Sequence, residues 1–389
     1  MSGFARAGLE RLADVAASYV GAEKVPGLVA LVASGEAVHV EALGSLSIDG
    51  PAVRRDSLFR IASTTKPITG AVTMALVDEG LLVLDEPVAR WLPELATPRV
   101  LTRMDAPLDD TVAAQREITV RDLLTFTFGF GMHVEMFMAA TPWPIMVAAT
   151  EAQLATIGPP DPKTAPDADE WLKRLGSLPL MAQPGERWLY NTGAQVLGVL
   201  CRRAAGAASY ADVLRSRIFT RLGMRDTSFV APEAARLATA YSNTPDGLTV
   251  WDPPDGNWSR QPAFEDGAAG LVSTVDDLLA FARMFLRGGD PVLTPGAATE
   301  MSQDQLTSGQ RAGQEMFLGE RSWGLCQSVV VSGERAGAFG WDGGLGSSFL
   351  VDPVRDLIVI VLTQRLWDTA QLPAVHTDLQ AAAYAALGA

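Results

Sequence analysis

The pattern of apolar and polar positions at the start of the chain predicts one helix followed by a hairpin. Residues 4–20 place apolar side chains near helical spacing, which is typical of an amphipathic helix. Two runs of mainly apolar residues follow, Leu28–Ser34 and Ala37–Leu43, and only Gly35 and Glu36 separate them. A two-residue connection that contains glycine favours an antiparallel hairpin.

The rest of the chain contains patterns that predict further helices and strands. A helix is predicted from Ser63 to Glu79, where Gly80 ends it. Residues 81–190 show short helical pieces and proline-rich loops with little strand character. Further helices are predicted at residues 193–205, 209–222, 274–287 and 371–387, and strands at Trp323–Val331, Gly346–Val351 and Asp356–Thr363.

These elements predict an α+β fold. Sequential strands joined by short turns must run antiparallel, so the first hairpin and the late strands are expected to share one antiparallel sheet. The opening and closing helices would pack on a face of it. We assign residues 1–80 and 200–389 to a discontinuous α/β domain and residues 81–199 to an inserted, mainly helical domain, with the active site at their interface.

Charge and composition exclude several classes of function. Of the 389 residues, 48% are hydrophobic and 20% charged, as in ordinary folded proteins, and the net charge is −14. That charge argues against nucleic acid and anionic membranes as partners, and it favours a small, uncharged substrate. Cys201 and Cys326 are too few and too far apart for a disulfide framework or a metal site. We expect two reduced thiols, no metal and no cofactor.

The N-terminal residues and the apolar runs indicate where in the cell the protein is expected. Charged residues interrupt every apolar run near the N-terminus, so no signal-peptide core is predicted. The run Leu357–Leu362 is too short to span a membrane and is expected to be a buried strand. We therefore expect a cytoplasmic protein, unless the sequence begins after a leader that has been removed.

Ser63-Thr64-Thr65-Lys66 is the strongest candidate for chemistry. If a helix begins near Ser63, Lys66 lies one turn further on the same face, so its amine can take the hydroxyl proton. The helix N-terminus would also supply N–H groups for the negative charge of acyl transfer. The alternative is that Ser63 or Thr64 caps a helix and Lys66 is a solvated surface charge.

Elimination favours the catalytic interpretation. A Ser-His-Asp hydrolase would need a serine elbow of the form G-x-S-x-G, and none occurs in the chain. The histidines are His39, His133 and His376. His39 lies in a strand-like run and is expected on the surface or on a sheet face, and neither His133 nor His376 has a recognisable catalytic partner in the sequence. Lysine is scarce, and arginine could not replace Lys66 as a base because it does not lose its proton at ordinary pH.

With this motif after the first hairpin, the chain resembles the serine β-lactamase and penicillin-binding-protein superfamily. It looks closest to the class C β-lactamases and the related family VIII carboxylesterases. Further ordered matches are residues 118–127 (ITVRDLLTFT), 184–193 (PGERWLYNTG) and 339–344 (FGWDGG), followed by FLVDP at 349–353. The resemblance implies a β-lactamase-like fold and an acyl-enzyme mechanism.

The resemblance also implies roles for individual residues. It places Tyr190 beside Ser63 and Lys66, where a phenol with a pKa lowered by the ammonium would share proton transfer; otherwise Tyr190 is a core tyrosine. The backbone N–H groups of Ser63 and Gly344 would form the oxyanion hole, although the glycine pair at 343–344 could be only a turn.

Two departures from the lactamase pattern favour esters. The asparagine expected two residues after Tyr190 is replaced by Thr192, with Asn191 one position earlier. Trp341 and Asp342 stand before Gly343 where lactamases have Lys-Thr-Gly, so a cation that would bind the lactam carboxylate is missing and Asp342 would repel it.

A cluster of aromatic and methionine residues is the candidate substrate pocket, although most such residues are ordinarily core. From it we select Phe128 and Met132, together with Asn191 and the third-motif residues, as substrate-binding. The other members of the cluster are Phe126, Phe130, Met136, Phe137, Met138, Trp143 and Met146, and Trp251 and Trp258 are equally open.

The function expected from these features is a serine carboxylesterase for short-chain or aryl esters. A β-lactamase, a D-amino-acid peptidase or amidase, and an acyltransferase share the same first half-reaction and stay open. So does a catalytically silent binding protein that kept the fold.

Overall fold

The structure is a computed structural model that describes residues 3–21, 24–156, 158–369 and 371–388. Its strands in chain order are β1 Gly27–Ser34, β2 Ala37–Gly44, β3 Phe59–Arg60, β4 Arg99–Leu101, β5 Thr111–Ala113, β6 Ala240–Thr244, β7 Gly247–Asp252, β8 Val272–Ser273, β9 Arg321–Trp323, β10 Ser328–Val330, β11 Phe339–Gly343, β12 Ser347–Asp352 and β13 Leu357–Thr363.

The helices surround these strands. In chain order they are α1 Arg6–Tyr19, α2 Thr65–Asp78, α3 Val120–Leu124, α4 Val134–Met138, α5 Pro144–Glu151, α6 Ala168–Gly176, α7 Thr192–Ala204, α8 Tyr210–Leu214, α9 Thr220–Leu222, α10 Val275–Leu286, α11 Pro295–Met301, α12 Ser308–Arg311, α13 Glu315–Leu318 and α14 Ala374–Ala386. Among the described residues, no helix is long and apolar enough to cross a membrane.

A seven-stranded antiparallel sheet forms the centre of the α/β part, with strand order β2-β1-β13-β12-β11-β10-β9. The chain therefore brings its first hairpin against its last strand, and Leu31 of β1 pairs with Ile360 of β13. The predicted α+β class and the shared sheet are confirmed. The predicted hairpin is also present, and Gly35 has the positive φ of +56° that its tight turn requires.

The central strands of the sheet, such as β1 and β13, are buried on both faces. Leu28, Ala30 and Val32 of β1 belong to a core cluster with residues of α1 and α14, which cover one face as predicted. The alternate residues Val29 and Leu31 belong to the large core cluster on the opposite face. This two-sided burial explains why the central strands read as nearly continuous apolar runs rather than as an alternation.

Several element predictions need correction. The predicted strand Trp323–Val331 is two short strands, β9 and β10, joined by a turn in which Cys326 has a φ of +63°. Strand β11 was not predicted as a strand, because glycines interrupt its apolar pattern. The predicted helix at 209–222 is divided by a π-helical segment, Arg215–Phe219.

The middle of the chain carries mostly short helices and loops, with one small hairpin formed by β4 and β5. Helix α7 packs against α2, where the Thr73 hydroxyl and the Cys201 thiol lie 3.3 Å apart. Cys201 and Cys326 are buried free thiols. The division into domains at residues 80 and 200 stays a prediction.

Candidate active site

Ser63 lies where β3 turns into α2. It belongs to a single 3-10 turn, Ala62–Thr64, so the α-helix begins two residues later than predicted. Ala62, directly before Ser63, has a φ of +41°, a region that non-glycine residues rarely adopt. Such strain is characteristic of residues whose position the surrounding structure fixes.

Lys66 lies one turn further along and reaches back to Ser63. Its Nζ is 2.9 Å from Ser63 Oγ and donates a second hydrogen bond of 3.0 Å to the Ala268 carbonyl. The side chain is completely buried, so the solvated-charge alternative is excluded. Burial lowers the pKa of Lys66 from 10.5 to about 7, with the opposing charge of Asp266 limiting the shift. A large fraction of the amine is therefore unprotonated at neutral pH.

Asp266 is a residue that sequence reasoning missed. Its carboxylate accepts hydrogen bonds from the Ala268 N–H at 2.6 Å and from Gln195 Nε2 at 3.3 Å. Burial raises its pKa, although these hydrogen bonds and Lys66 oppose that change. Ala268 thus contacts Asp266 through its N–H and Lys66 through its carbonyl. Nothing in the local sequence signals this link, because the contact between Lys66 and residues 266–268 spans about half of the chain.

Tyr190 is held beside this pair by the backbone. It exchanges both main-chain hydrogen bonds with Met132, at 2.8 and 2.9 Å, and the following residue, Asn191, has a φ of +84°. Tyr190 lines the same cavity as Ser63, and Lys66 Nζ lies 4.6 Å from the centre of its ring. Its placement beside Ser63 and Lys66 is the one that the family resemblance implies.

The expected lowering of the Tyr190 pKa is wrong. Burial raises that pKa well above its usual range of about 10, and hydrogen bonds to Ser63 and Trp341 offset only part of the effect. Trp341 Nε1 donates to the Tyr190 oxygen at 2.7 Å. Tyr190 is therefore a neutral phenol at rest, and the group that loses its proton near neutral pH is Lys66.

The two residues proposed for the oxyanion hole, Ser63 and Gly344, line the cavity. Neither the Ser63 nor the Gly344 N–H has a hydrogen-bond acceptor within the described part of the chain. A Cβ built on Gly344 would meet no protein atom within 4 Å, so this glycine borders open space. A hydrogen bond connects β12 to the turn that carries Ser63, because the Ser347 hydroxyl donates to the Ile61 carbonyl at 2.7 Å.

Gly343 serves packing rather than substrate contact. It does not line the cavity, and a Cβ there would lie 2.3 Å from both the Ile61 carbonyl oxygen and the Ser347 hydroxyl. Only glycine lets β11 approach the turn that carries Ser63 so closely. Its selection as a substrate-binding residue is corrected accordingly.

The acidic residue of the third motif, Asp342, is paired with an arginine. Asp342 accepts a 2.8 Å hydrogen bond from Arg321 Nη1, and the Arg321 guanidinium lies 4.8 Å from the centre of the Trp341 ring. Burial raises the pKa of Asp342, and Arg321 opposes that effect. An arginine from β9 thus pairs with Asp342 and offsets the negative charge that was expected to repel carboxylates.

A cavity of about 580 Å³ opens in front of Ser63. Its walls include four of the predicted substrate-binding residues, Met132, Asn191, Trp341 and Asp342, and also Phe137 from the wider cluster. Phe128 is completely buried elsewhere and does not line the cavity. Sequence reasoning missed the walls formed by Ala155, Pro159, Pro160, Met316, Phe317, Leu345, Leu366, Trp367 and Leu372.

The remaining members of the aromatic and methionine cluster have other positions. Phe126, Phe130 and Met136 are buried and do not line the cavity, nor do Met138, Trp143, Met146, Trp251 and Trp258. Phe126 instead supports the site from behind, with its ring 6.1 Å from that of Tyr190. Asn191, although it borders the cavity, directs its amide to the Thr156 carbonyl at 3.1 Å.

Comparison with known proteins identifies the family of this chain. The family model described as Beta-lactamase matches residues 12–383, nearly the whole chain. The chain belongs to the β-lactamase family. Among its relatives, Esterase EstB from Burkholderia gladioli is 32% identical over 367 residues, which cover 89% of this chain and 87% of EstB.

Two further relatives agree with this membership. Protein Rv1367c from Mycobacterium tuberculosis is 37% identical over 357 residues, covering 85% of this chain and 83% of the relative. A solved structure described as EstCE1, a hydrolase with promiscuous acyltransferase activity, aligns with a TM-score of 0.82 at 22% identity, covering 97% of this chain and 99% of EstCE1. The β-lactamase-like fold is thus confirmed.

Proposed function

We propose that this protein is a serine carboxylesterase that hydrolyses short-chain or aryl esters through an acyl-enzyme. The observation that carries the proposal is the contact of 2.9 Å between Ser63 Oγ and Lys66 Nζ, in which burial lowers the pKa of the amine to about 7. A hydroxyl beside an unprotonated amine is an activated nucleophile. Ser63 borders an open cavity of a size that suits a small organic molecule.

Acylation follows from these positions. Lys66 takes the proton of Ser63 as its oxygen attacks the ester carbonyl, and the N–H groups of Ser63 and Gly344 receive the negative charge of the tetrahedral intermediate. When the carbon–oxygen bond to the alcohol breaks, the phenolic proton of Tyr190 passes to the departing oxygen. The Lys66 ammonium restores the proton of Tyr190, so the amine is ready for the next step.

Deacylation repeats the sequence with water in place of the alcohol. The Lys66–Tyr190 pair removes a proton from the attacking water and returns one to Ser63 when the acyl bond breaks. The positions of Ser63, Lys66 and Tyr190 suit both half-reactions because the same oxygen is first attacking group and then leaving group.

The walls of the cavity favour uncharged, apolar acyl or alcohol groups. Phe317 stacks on Tyr190 with ring centres 5.6 Å apart, and Phe137 and Met316 border the opening with 52% and 42% of their surfaces exposed. The charged side chains Arg321 and Asp342, which also line the cavity, form an ion pair with each other. A small ester therefore finds apolar contact on most sides, while a charged substrate gains little.

Acyl transfer to an alcohol other than water is the second candidate. It shares the acylation step, and the solved relative EstCE1 is described as a hydrolase with promiscuous acyltransferase activity. β-Lactam or D-amino-acid amide hydrolysis would also use Ser63, Lys66 and Tyr190, but no lysine stands in the third motif to bind the carboxylate.

The test is a substrate panel. Initial rates should be measured with p-nitrophenyl esters of increasing acyl length, with nitrocefin, and with an added alcohol acceptor. We expect the highest kcat/KM for short acyl chains and no turnover by Ser63→Ala. A wild-type preference for nitrocefin would replace the esterase proposal with a lactamase one, and ester product dominating in the presence of alcohol would favour acyl transfer.

A further inference from the structure

Trp341 contributes to the site through its ring nitrogen as well as its surface. Nε1 donates to the Tyr190 oxygen at 2.7 Å, and both groups are buried. A phenol oxygen that accepts this bond keeps its own proton free to donate to another group, and Tyr190 and Ser63 both line the cavity. The indole N–H therefore fixes which way the Tyr190 proton faces.

Arg321 holds the indole in that orientation. Its guanidinium lies over the Trp341 ring with 4.8 Å to the ring centre, while Trp323 packs edge-on against the same ring at 4.7 Å. The guanidinium is itself fixed by Asp342 at 2.8 Å and by the Leu318 carbonyl at 3.3 Å. A planar group held at two edges is well suited to support an aromatic face.

We propose that Arg321 is a positioning residue that acts on Tyr190 through Trp341. Arg321 touches neither Ser63 nor Lys66 by any hydrogen bond within the described residues. Its effect on the reaction is to keep the indole N–H on the Tyr190 oxygen, so that the phenolic proton is directed to Ser63 and then to the leaving group. This inference rests on the proposed acyl-enzyme function and adds one residue, on an edge strand, to the machinery.

A double-mutant cycle tests the inference. Trp341→Phe keeps the ring and removes the N–H, and Arg321→Met keeps the length of the side chain and removes the guanidinium. The measurements are kcat with p-nitrophenyl acetate and the second-order rate of Ser63 labelling by a fluorophosphonate, followed by intact mass. The label reports the reactivity of Ser63 without depending on the natural substrate.

If Arg321 acts through the indole N–H, each single change lowers both rates about 10-fold or more, and the double variant is no slower than Trp341→Phe alone. Arg321→Lys, which keeps the charge but not the planar stack, should restore only part of the loss. Arg335→Met removes a comparable guanidinium, stacked 4.3 Å from the ring centre of Tyr384 on a distant helix, and should change neither rate.

Additive losses in the double variant would overturn the inference, because they would mean that Arg321 supports the site by another route. An unchanged rate in Arg321→Met would overturn it as well. These outcomes are distinct from failure of the proposed function, in which the wild-type enzyme neither turns over the ester nor is labelled at Ser63.

Discussion

The burial of Lys66 predicts a pH-dependent cost to folding. Its pKa falls from 10.5 in the unfolded chain to about 7 in the folded protein. Between these two values the unfolded chain carries a proton that the folded protein has lost, so the free energy of unfolding rises with pH. At 1.36 kcal/mol per unit, the full difference is about 5 kcal/mol, present at and below pH 7 and removed as the pH rises toward 10.5.

The change that isolates this cost is Lys66→Met, which has no charge to desolvate and a similar side-chain length. Lys66→Met leaves the Ala268 carbonyl without its hydrogen bond, at a cost of about 1–3 kcal/mol that does not depend on pH. The informative quantity is therefore the slope. The excess stability of Lys66→Met over wild type should shrink by about 2 kcal/mol between about pH 7 and about pH 9.

Urea denaturation of both proteins at several pH values measures that slope. Lys173→Met is the matched control, because it removes a lysine whose side chain is 76% exposed, and its difference from wild type should stay constant. A constant difference for Lys66→Met as well would mean that Lys66 keeps its proton in the folded protein. The amine could then not act as the resting base.

Three further outcomes follow from the site. For ester hydrolysis, kcat/KM should rise with pH through about 7, since the unprotonated Lys66 is the base, and a profile that is flat there would contradict this role. Lys66→Arg should be nearly as inactive as Lys66→Ala, since arginine cannot give up its proton; substantial turnover by the arginine variant in the same ester assay would show a purely electrostatic role. Trp341→Lys should raise the ratio of nitrocefin to ester kcat/KM by about 10- to 100-fold through a charge-assisted contact, and it should lower ester turnover, because the indole N–H to Tyr190 is lost. An unchanged ratio would mean that residue 341 does not face the substrate's carboxylate.

The parts of the fold that sequence could predict are those that depend on local pattern. The opening helix, the first hairpin and the last strand carry strong periodicity or a diagnostic turn, and the structure contains all three. Strand β11 was missed because Gly340 and Gly343 weaken its apolar pattern, although the structure needs one of them for the close approach to Ser63. Local propensity and tertiary packing conflict at that strand, which is common near functional sites.

The candidate site also contains residues that the sequence could predict and residues that it could not. Ser63 and Lys66 could be paired because one helical turn separates them, and the family resemblance supplied Tyr190 and Gly344. Asp266 and Arg321 could not be found, because each meets its partner only through tertiary contact and neither lies in a recognisable motif. The sign of the Tyr190 pKa shift was wrong for a related reason, since burial outweighs the neighbouring amine and burial is not visible in the sequence.

The most direct test of the account is to trap the acyl-enzyme and locate it. The protein should be mixed with a slowly deacylating aryl ester, quenched in acid, digested, and analysed by mass spectrometry, with Ser63→Ala treated in parallel. We predict one added acyl group per chain, carried by the peptide that contains Ser63, and none on Ser63→Ala. Acylation of another residue, or ester turnover by Ser63→Ala at the wild-type rate, would contradict the assignment of Ser63 as the nucleophile.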